Sequence, residues 1–317
     1  MSTKDRVLIR LEEAGPQGVS GEALAKELQV SRAAVWKAIQ ALRAEGVAIE
    51  SAPGSGYRLA GPASLSREGI LRALEEAGIS VDVETFRSID STNSEARRRG
   101  MEIRRPLLLA ADEQTAGRGR QGRSFYSPSL SGVYLTLAMP TRLPLQDAAL
   151  ATQAMAVAAA RAVEEAGGPS LSIKWVNDLF LDGRKVAGIL TEAVSDLEAG
   201  QAALLICCIG LNLATEQFPG AIDETAGSLG ALNRSRLCAL IVKNALPLFE
   251  ALPDTGWLAE YRARSLVLGR RLVFEKNGVS YHCVGEAIDD RGGLTVVLDH
   301  GDKMTLTSGE VSVRPEI

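Results

Sequence analysis

The chain has 317 residues, 46% hydrophobic and 23% charged, with mean hydropathy +0.04 and formal net charge −4. That length predicts two or three domains with cores of their own, and the mild negative charge excludes a global field for nucleic acid, so any such contact must be a local patch. No apolar run reaches the ~18 residues a membrane span needs, and the polar start MSTKDR is no signal peptide, so a cytoplasmic protein with no membrane partner is expected.

In chain order, Val7, Leu8 and Leu11 share a helical face over residues 4–14, and Gly15-Pro16 ends that helix. A short helix over 21–28 leads to a tight turn at Gln29-Val30. Ser31 then caps a third helix that runs to Gly46. Two short strands, VAIES and GYRLA, flank the turn PGSG. Three helices with a tight turn before the third, followed by a β-hairpin, predict a winged helix-turn-helix over residues 1–62.

The third helix carries two stripes. Val35, Ile39 and Leu42 point to the core, while Arg32, Trp36, Gln40 and Arg43, with Lys37 beside them, make a polar and aromatic face suited to reading the major groove of DNA. A solvated helix or a face for a protein partner would look the same. Residues 1–62 hold eight Lys/Arg against seven Asp/Glu, so the DNA reading rests on pattern rather than charge.

Beyond the linker AGPASLSREG, a helix over 66–77 precedes the strand-like VDVETFRSI, and Asp90-Ser91-Thr92-Asn93 starts another helix. PLLLAAD and GVYLTLAMP read as strands, residues 147–166 as an alanine-rich helix, and NDLFLDGRKVAGILTE as a hairpin turning at Asp182-Gly183. ALLICCIGLNL is a buried strand, and helices over 235–263 close a domain with a mixed, mostly antiparallel sheet. From Leu272, five short strands separated by Asn277-Gly278, Arg291-Gly292-Gly293 and His300-Gly301-Asp302 predict an SH3-like barrel.

The chemistry concentrates at GRGRQGR, residues 117–123. Gly117, Gly119 and Gly122 let backbone N–H groups approach an anion, and Arg118, Arg120 and Arg123 are planar phosphate donors. The glycines also spell G-x-G-x-x-G. That dinucleotide fingerprint needs a helix at its third glycine and an acidic residue about 20 positions on, and RSFYSPSLSG and MPTRLP supply neither. The two histidines, His282 and His300, lie too far along the chain for a central Ser–His triad or zinc site, and the four cysteines lack C-x-x-C spacing and read as reduced core thiols.

DSTNSEA, EQTAGRGRQGRSFYSP, KWVNDL, GRKVAGIL and IGLN, in that order, resemble the catalytic domain of biotin–protein ligases, and the front of the chain resembles the bifunctional members that also repress biotin operons. The resemblance covers essentially the whole chain and departs at Val176, where the family usually has proline. It implies an α+β protein: the winged helix, a central ligase domain of class II synthetase-like type over 63–268, and the SH3-like domain over 269–317. It implies adenylation of biotin by ATP and transfer to a lysine of a biotin carboxyl carrier protein, with homodimerisation when adenylate is bound. By resemblance, Ser91, Thr92, Asn93 and Gln114 bind the ureido head of biotin. Arg118, Gly119 and Arg120 cover biotin or the adenylate, and Lys174 sits catalytically at the carboxylate and α-phosphate.

From the residues themselves, Ser91-Thr92-Asn93 serves equally as a helix cap, and both roles hold together. Gly117, Arg118, Arg120 and Arg123 suit the phosphates, with Arg120 also guarding the reactive adenylate. Phe125 is placed either to stack on adenine or to join the core, and Asn212 to hydrogen-bond the base. The glycines predict an arginine loop that orders on binding, and residues 214–227 a second mobile lid. Mg²⁺ is expected with ATP, with no protein ligand assigned. Two other readings stay open: a biotin sensor without catalysis, which the intact Lys174 and arginines oppose, and a lipoate-type acyl ligase, which the winged helix and GRGRQGR oppose.

Overall fold

The computed structural model describes residues 2–44, 47, 49–52, 56–60, 64–196, 198–276, 278–307 and 313–315. Helix α1 (Thr3–Ala14) starts on a reciprocal cap: the Ser2 hydroxyl accepts from the Asp5 amide, and the Asp5 carboxylate accepts from the Ser2 amide. Helix α2 (Gly21–Glu27) is capped by Ser20 and α3 (Arg32–Ala44) by Ser31, whose hydroxyl accepts from the Ala34 amide at 3.1 Å. Each such cap is worth about 1 kcal/mol. Val7, Leu11, Leu24, Val35, Ile39 and Leu42 make the core of this unit, as their spacing requires. Strands β1 (Ile49–Ala52) and β2 (Gly56–Leu59) form the wing and join the helices where Val19 pairs with Tyr57. The expected stop at Gly46 and most of the PGSG turn lie outside the described residues.

The central unit runs α4 (Arg67–Glu76), β3 (Asp82–Phe86), α5 (Thr92–Arg99), β4 (Leu107–Ala111), β5 (Gly132–Pro140) and α6 (Leu150–Glu165), then β6 (Ser172–Lys174) and β7 (Asp178–Leu181). Strands β8 (Arg184–Asp196) and β9 (Gln201–Asn212) and helices α7 (Arg234–Glu250) and α8 (Leu258–Ala263) complete it. Its seven-stranded sheet has the order β3-β4-β5-β9-β8-β7-β6, with β3–β4 parallel and the other pairs antiparallel.

Alternation along the strands gives the sheet two different faces. Leu108, Ala110, Val133, Leu135 and Leu137 pack with α4, α6 and α7 in the main core, and the alanines of α6 let that helix lie close between the sheet and α7. Leu107, Leu109, Ala138, Leu204 and Ile206 turn the other way and make a smaller cluster with Ala96 of α5. On this second face the sheet is left open beyond α5, and there the arginine loop lies.

A buried ion pair sets the registry of these parts. Arg234, at the start of α7, gives Nη1 to Asp112 Oδ1 at 2.6 Å and Nε to the Gly132 carbonyl at 2.7 Å; the two side chains are 5% and 4% exposed. Asp112 Oδ1 also accepts from the Leu65 amide at 3.0 Å, and the Ser235 hydroxyl accepts from the Ser66 amide, so the linker from the winged helix is anchored here.

Strands β10 (Arg271–Lys276), β11 (Val279–Ile288), β12 (Leu294–Leu298), β13 (Lys303–Leu306) and β14 (Val313–Pro315) follow. Among the described residues they form an open antiparallel sheet, β13-β12-β11-β10-β14, and the expected closed SH3-like barrel is corrected to this. Closure would need a pairing between the edge strands, but among the described residues β13 pairs with β12 and the three-residue β14 with β10, not with each other. The apolar face need not close on itself, because Leu272, Phe274, Cys283, Leu294 and Val296 belong to the same core cluster as the catalytic sheet. The Asn277 part of one expected turn lies outside the described residues. No described helix is long and apolar enough to cross a membrane.

Candidate active site

Ser91 caps α5 through its hydroxyl, and this cap delivers Thr92 and Asn93 to the open face of the sheet. A chain of hydrogen bonds fixes the polar floor there. Thr136 Oγ1 of β5 donates to Thr92 Oγ1 (2.9 Å), and Gln114 Oε1 accepts from both the Thr92 amide (2.9 Å) and hydroxyl (3.2 Å). Gln114 Nε2 donates to Ser127 Oγ (3.1 Å), which donates to the Phe125 carbonyl (3.1 Å). Ser91, Thr92 and Asn93 are each 1% exposed. Asn93 Oδ1 accepts from Arg118, while its Nδ2 is buried without a nitrogen or oxygen partner and the side chain also meets the Cys208 thiol.

Residues 117–125 fold as a tight hairpin rather than the start of a helix. The Phe125 amide donates to the Gly117 carbonyl (2.9 Å) and the Gly119 amide to the Arg123 carbonyl (2.7 Å), with a single 3₁₀ turn over Arg120–Gly122 at the tip. Two arginines dock this hairpin on the sheet. Arg118 Nη1 reaches Asn93 Oδ1 at 2.7 Å and Glu192 Oε2 of β8 at 3.3 Å, and Glu192 also holds Arg97 at 2.8 Å. Arg120 Nη1 donates to Asn177 Oδ1 at 3.1 Å, and burial lowers its pKa despite the nearby Asp178. Arg123 stays exposed and touches Gln121, and its charge adds to the lowering at Arg120.

Lys174 ends β6 with its ammonium 5.8 Å above the Phe180 ring. Asp178, its cross-strand partner, pairs with Lys185 at 2.7 Å. The Trp175–Val176 peptide is cis. The turn carrying Val176 is well held: that side chain is 2% exposed, its carbonyl accepts from the Tyr261 hydroxyl (3.1 Å), and Asn177 Nδ2 donates to the Ile189 carbonyl (3.0 Å).

Phe125 lies in a notch made by two glycines paired across adjacent strands, Gly188 of β8 and Gly210 of β9. A Cβ at Gly210 would overlap the ring, and one at Gly188 would stand 3.2 Å from both the ring and the Lys185 ammonium. The ring thus packs on backbone while remaining half-buried. Asn212 gives Nδ2 to the Gly227 carbonyl at 3.1 Å and so ties down one end of the 214–227 segment. The same segment is held by the Lys185 backbone, through Thr225 and Gly227, and Phe218 meets Tyr126 edge-on, with ring centroids 6.5 Å apart.

All four cysteines are buried and in no disulfide, and burial pushes the Cys208 thiol up to about 12, which keeps it protonated. In the winged helix Arg32, Trp36 and Lys37 are exposed, with Trp36 at 55%. Gln40 is half-buried. Arg43 is turned inward: its guanidinium grips the Ile49 carbonyl (2.8 Å) and holds the wing to α3.

The structure therefore gathers Ser91, Thr92, Asn93, Gln114, Gly117, Arg118, Gly119, Arg120 and Phe125 on one face of the sheet, with Arg120 reaching the turn that follows Lys174. It adds Asn177, Asp178, Lys185, Gly188 and Gly210, all inside motifs visible in the sequence, and Glu192, which nothing local marks.

Residues 85–212 match the biotin/lipoate A/B protein ligase family, and residues 3–58 match an HTH domain. The chain is 31% identical to the bifunctional ligase/repressor BirA of Escherichia coli, across 93% of this chain and 92% of that one. It is 34% identical to BirA of Bacillus subtilis across 72% and 71%. It is 33% identical to the biotin–[acetyl-CoA-carboxylase] ligase of Paracoccus denitrificans across 65% of this chain and 90% of that one. Among solved structures, biotin protein ligase from Aquifex aeolicus in complex with biotin and ATP shares the fold, with TM-score 0.59 and 22% identity over 74% of this chain and 99% of that one. The chain belongs to the biotin/lipoate A/B protein ligase family, and to the part of it in which a helix-turn-helix domain precedes the ligase domain.

Proposed function

We propose that the protein joins biotin to ATP as biotinyl-5′-adenylate, transfers the biotinyl group to a lysine of a biotin carrier protein, and represses transcription as an adenylate-bound homodimer through its winged helices. The observation that carries the ligase reading is the Arg120–Asn177 contact, which brings the arginine loop over the polar floor to the turn that follows Lys174.

In the first step a biotin carboxylate oxygen attacks the α-phosphorus of ATP, the bond to the bridging oxygen breaks, and pyrophosphate leaves. Two anions must meet, and fixed cations lower that barrier. Lys174 lies at the carboxylate and α-phosphate, and Arg118 and Arg120 close over them. The Asn93 amide and the Thr92–Gln114 pair offer neutral donors and acceptors, as the uncharged ureido head requires. In the second step the carrier lysine amine attacks the acyl carbon and AMP leaves. No residue of the chain becomes acylated. The docked hairpin keeps water from the mixed anhydride in between.

Magnesium would come with the nucleotide. Among the described residues no group of three or more His, Cys, Asp and Glu is placed to hold a metal ion, and Asp178 is already paired with Lys185. The residues present provide no cage of their own, so the ion's ligands would be phosphate oxygens and water.

Incubation with biotin, ATP and a biotin carrier domain should yield a single biotinylated lysine by mass spectrometry. An unmodified carrier would overturn the ligase reading. A gel shift whose DNA affinity ignores biotin plus ATP would overturn the repressor reading separately.

A further inference from the structure

The turn Asp289–Gly293 of the C-terminal sheet reaches into the catalytic domain at the residue next to Lys174. Its Gly292 carbonyl accepts two buried donors, Trp175 Nε1 at 3.0 Å and Gln153 Nε2 at 2.8 Å. Trp175 and Gln153 are 3% and 2% exposed, so neither donor has water as an alternative partner.

The turn is built to present that carbonyl. Asp289 Oδ1 accepts from the Arg291 amide (2.9 Å) and the Gly293 amide (2.8 Å), and the Gly292 amide donates to the Asp289 carbonyl (3.0 Å). Gly292 has φ +76°, and a Cβ there would overlap the Gln153 amide, so no other residue fits both the backbone and the space. Arg262 of α8 fastens the turn from the catalytic side, through Nε to the Ile288 carbonyl at 2.7 Å and through Nη2 to Asp290.

Residues 175, 176 and 177 are thus each pinned from a different element: Trp175 by the C-terminal turn, Val176 by Tyr261 of α8, and Asn177 by Ile189 of β8. Lys174 immediately precedes them at the end of a three-residue strand, so its backbone runs directly into the pinned turn. Misplacing a catalytic cation by about 1 Å can cost 100-fold in rate.

We propose that the Asp289–Gly293 turn is a positioning element for Lys174 in the adenylation step, acting through the Trp175 indole. The C-terminal sheet is then part of the machinery of the first half-reaction. The proposal rests on the assignment of Lys174 made above.

The test uses the full chain and biotin-dependent exchange of labelled pyrophosphate into ATP. Trp175→Phe removes the indole donor and keeps an aromatic ring. It should lower kcat at least tenfold while KM for biotin stays within twofold. Asp289→Ala, which loosens the turn from within the C-terminal sheet, should act in the same direction. In a Lys174→Ala background, Trp175→Phe should add no further loss, because the group it positions is gone; a merely structural role would multiply the two losses. Wild-type kcat in Trp175→Phe, or multiplying losses, overturns the proposal alone. Wild-type exchange by Lys174→Ala by itself overturns the Lys174 assignment, and the proposal with it.

Discussion

Arg120 Nη1 lies 3.1 Å from Asn177 Oδ1, a contact across 57 positions of sequence that joins the arginine hairpin to the turn that follows Lys174. The guanidinium is held in partial burial, where desolvation lowers its pKa, yet it remains far too basic to lose its charge. A partly buried cation at this seam favours the approach of an anion. Replacing Arg120 with Gly should remove the hairpin's anchor at its tip and raise the escape of biotinyl-5′-adenylate at least tenfold. In a chase with excess unlabelled biotin, the labelled intermediate should leave faster, with adenylation itself reduced less. Asn177→Ala should show a weaker version of the same defect. Because the two groups share one contact, the double variant should be no worse than Arg120→Gly.

Lys174→Ala tests the charge argument directly. Removing a cation that stabilises charge developing between two reacting anions costs about 100- to 1000-fold in rate. The loss should fall on kcat for adenylation, because the polar floor of Thr92, Asn93 and Gln114 does not depend on Lys174. Calorimetry should therefore find biotin affinity within about threefold of wild type. A matching loss of affinity would show that Lys174 helps hold the ground state, and that the rate argument assigns it the wrong step.

The Phe125 notch makes a prediction about nucleotide rather than biotin. Gly210→Ala puts a methyl group where the ring now lies, and overpacking of this kind costs about 1–3 kcal/mol. The displaced ring can move only outward, toward solvent and the 214–227 segment. KM for ATP should rise about tenfold, while biotin affinity, set by a hydrogen-bond chain through Gln114 that meets residue 125 at its backbone carbonyl and not at its ring, stays close to wild type. Equal losses for both substrates would mean that the hairpin moves as one piece.

Much of this was legible in the sequence, for reasons that can be named. Ser91 announces a helix start, and GVYLTLAMP occupies β5 from Gly132 to Pro140, because caps and period-2 runs are local signals. Asn177, Asp178, Lys185, Gly188 and Gly210 stood inside KWVND, GRKVAGIL and IGLN, but only their cross-strand partners reveal what they do. The Asp112–Arg234 pair spans 122 positions, and neither residue belongs to a periodic pattern, so nothing short of the fold discloses it. Glu192 was hidden in the same way, as one carboxylate on a strand until Arg118 and Arg97 arrive from elsewhere. The barrel expectation failed at a further level: strand count and spacing do not say whether edge strands meet, and here the apolar face joins the larger core instead.

Asp90 supplies a pH dependence with a definite sign. Arg98 grips its carboxylate through both oxygens and holds its pKa down to about 2, below the ordinary aspartate value of 3.8. The fold therefore favours the ionised form. The stabilisation is fully present above pH 4 and is lost as the pH falls toward 2. The carboxylate side chain is 45% exposed, so solvent screening keeps the contribution below about 1 kcal/mol. Asp90→Asn should lower Tm slightly at pH 5 to 7, and the gap to wild type should close between pH 4 and pH 2. A gap that persists at pH 2 would place the effect in the packing of the α5 start rather than in this ion pair.

The winged helix separates into residues that hold it together and residues free to touch DNA. Arg43 belongs to the first group because its guanidinium is spent on the Ile49 carbonyl. Arg43→Ala should therefore lower Tm and weaken DNA binding indirectly, through a loosened wing. Trp36 and Lys37 belong to the second, being exposed on α3 with the indole 55% accessible. With eight basic residues against seven acidic ones in residues 1–62, the domain has no general pull on phosphate, so each direct contact must matter individually. Lys37→Ala should weaken binding to operator and random duplex alike and reduce the log–log salt slope by about one. Trp36→Ala should instead weaken operator binding more than random binding and leave the salt slope alone, because an indole carries no charge to release counterions. Titrations of both variants on both duplexes at several salt concentrations would separate the two effects. Equal losses on operator and random duplex for Trp36→Ala would remove this helix face from sequence recognition.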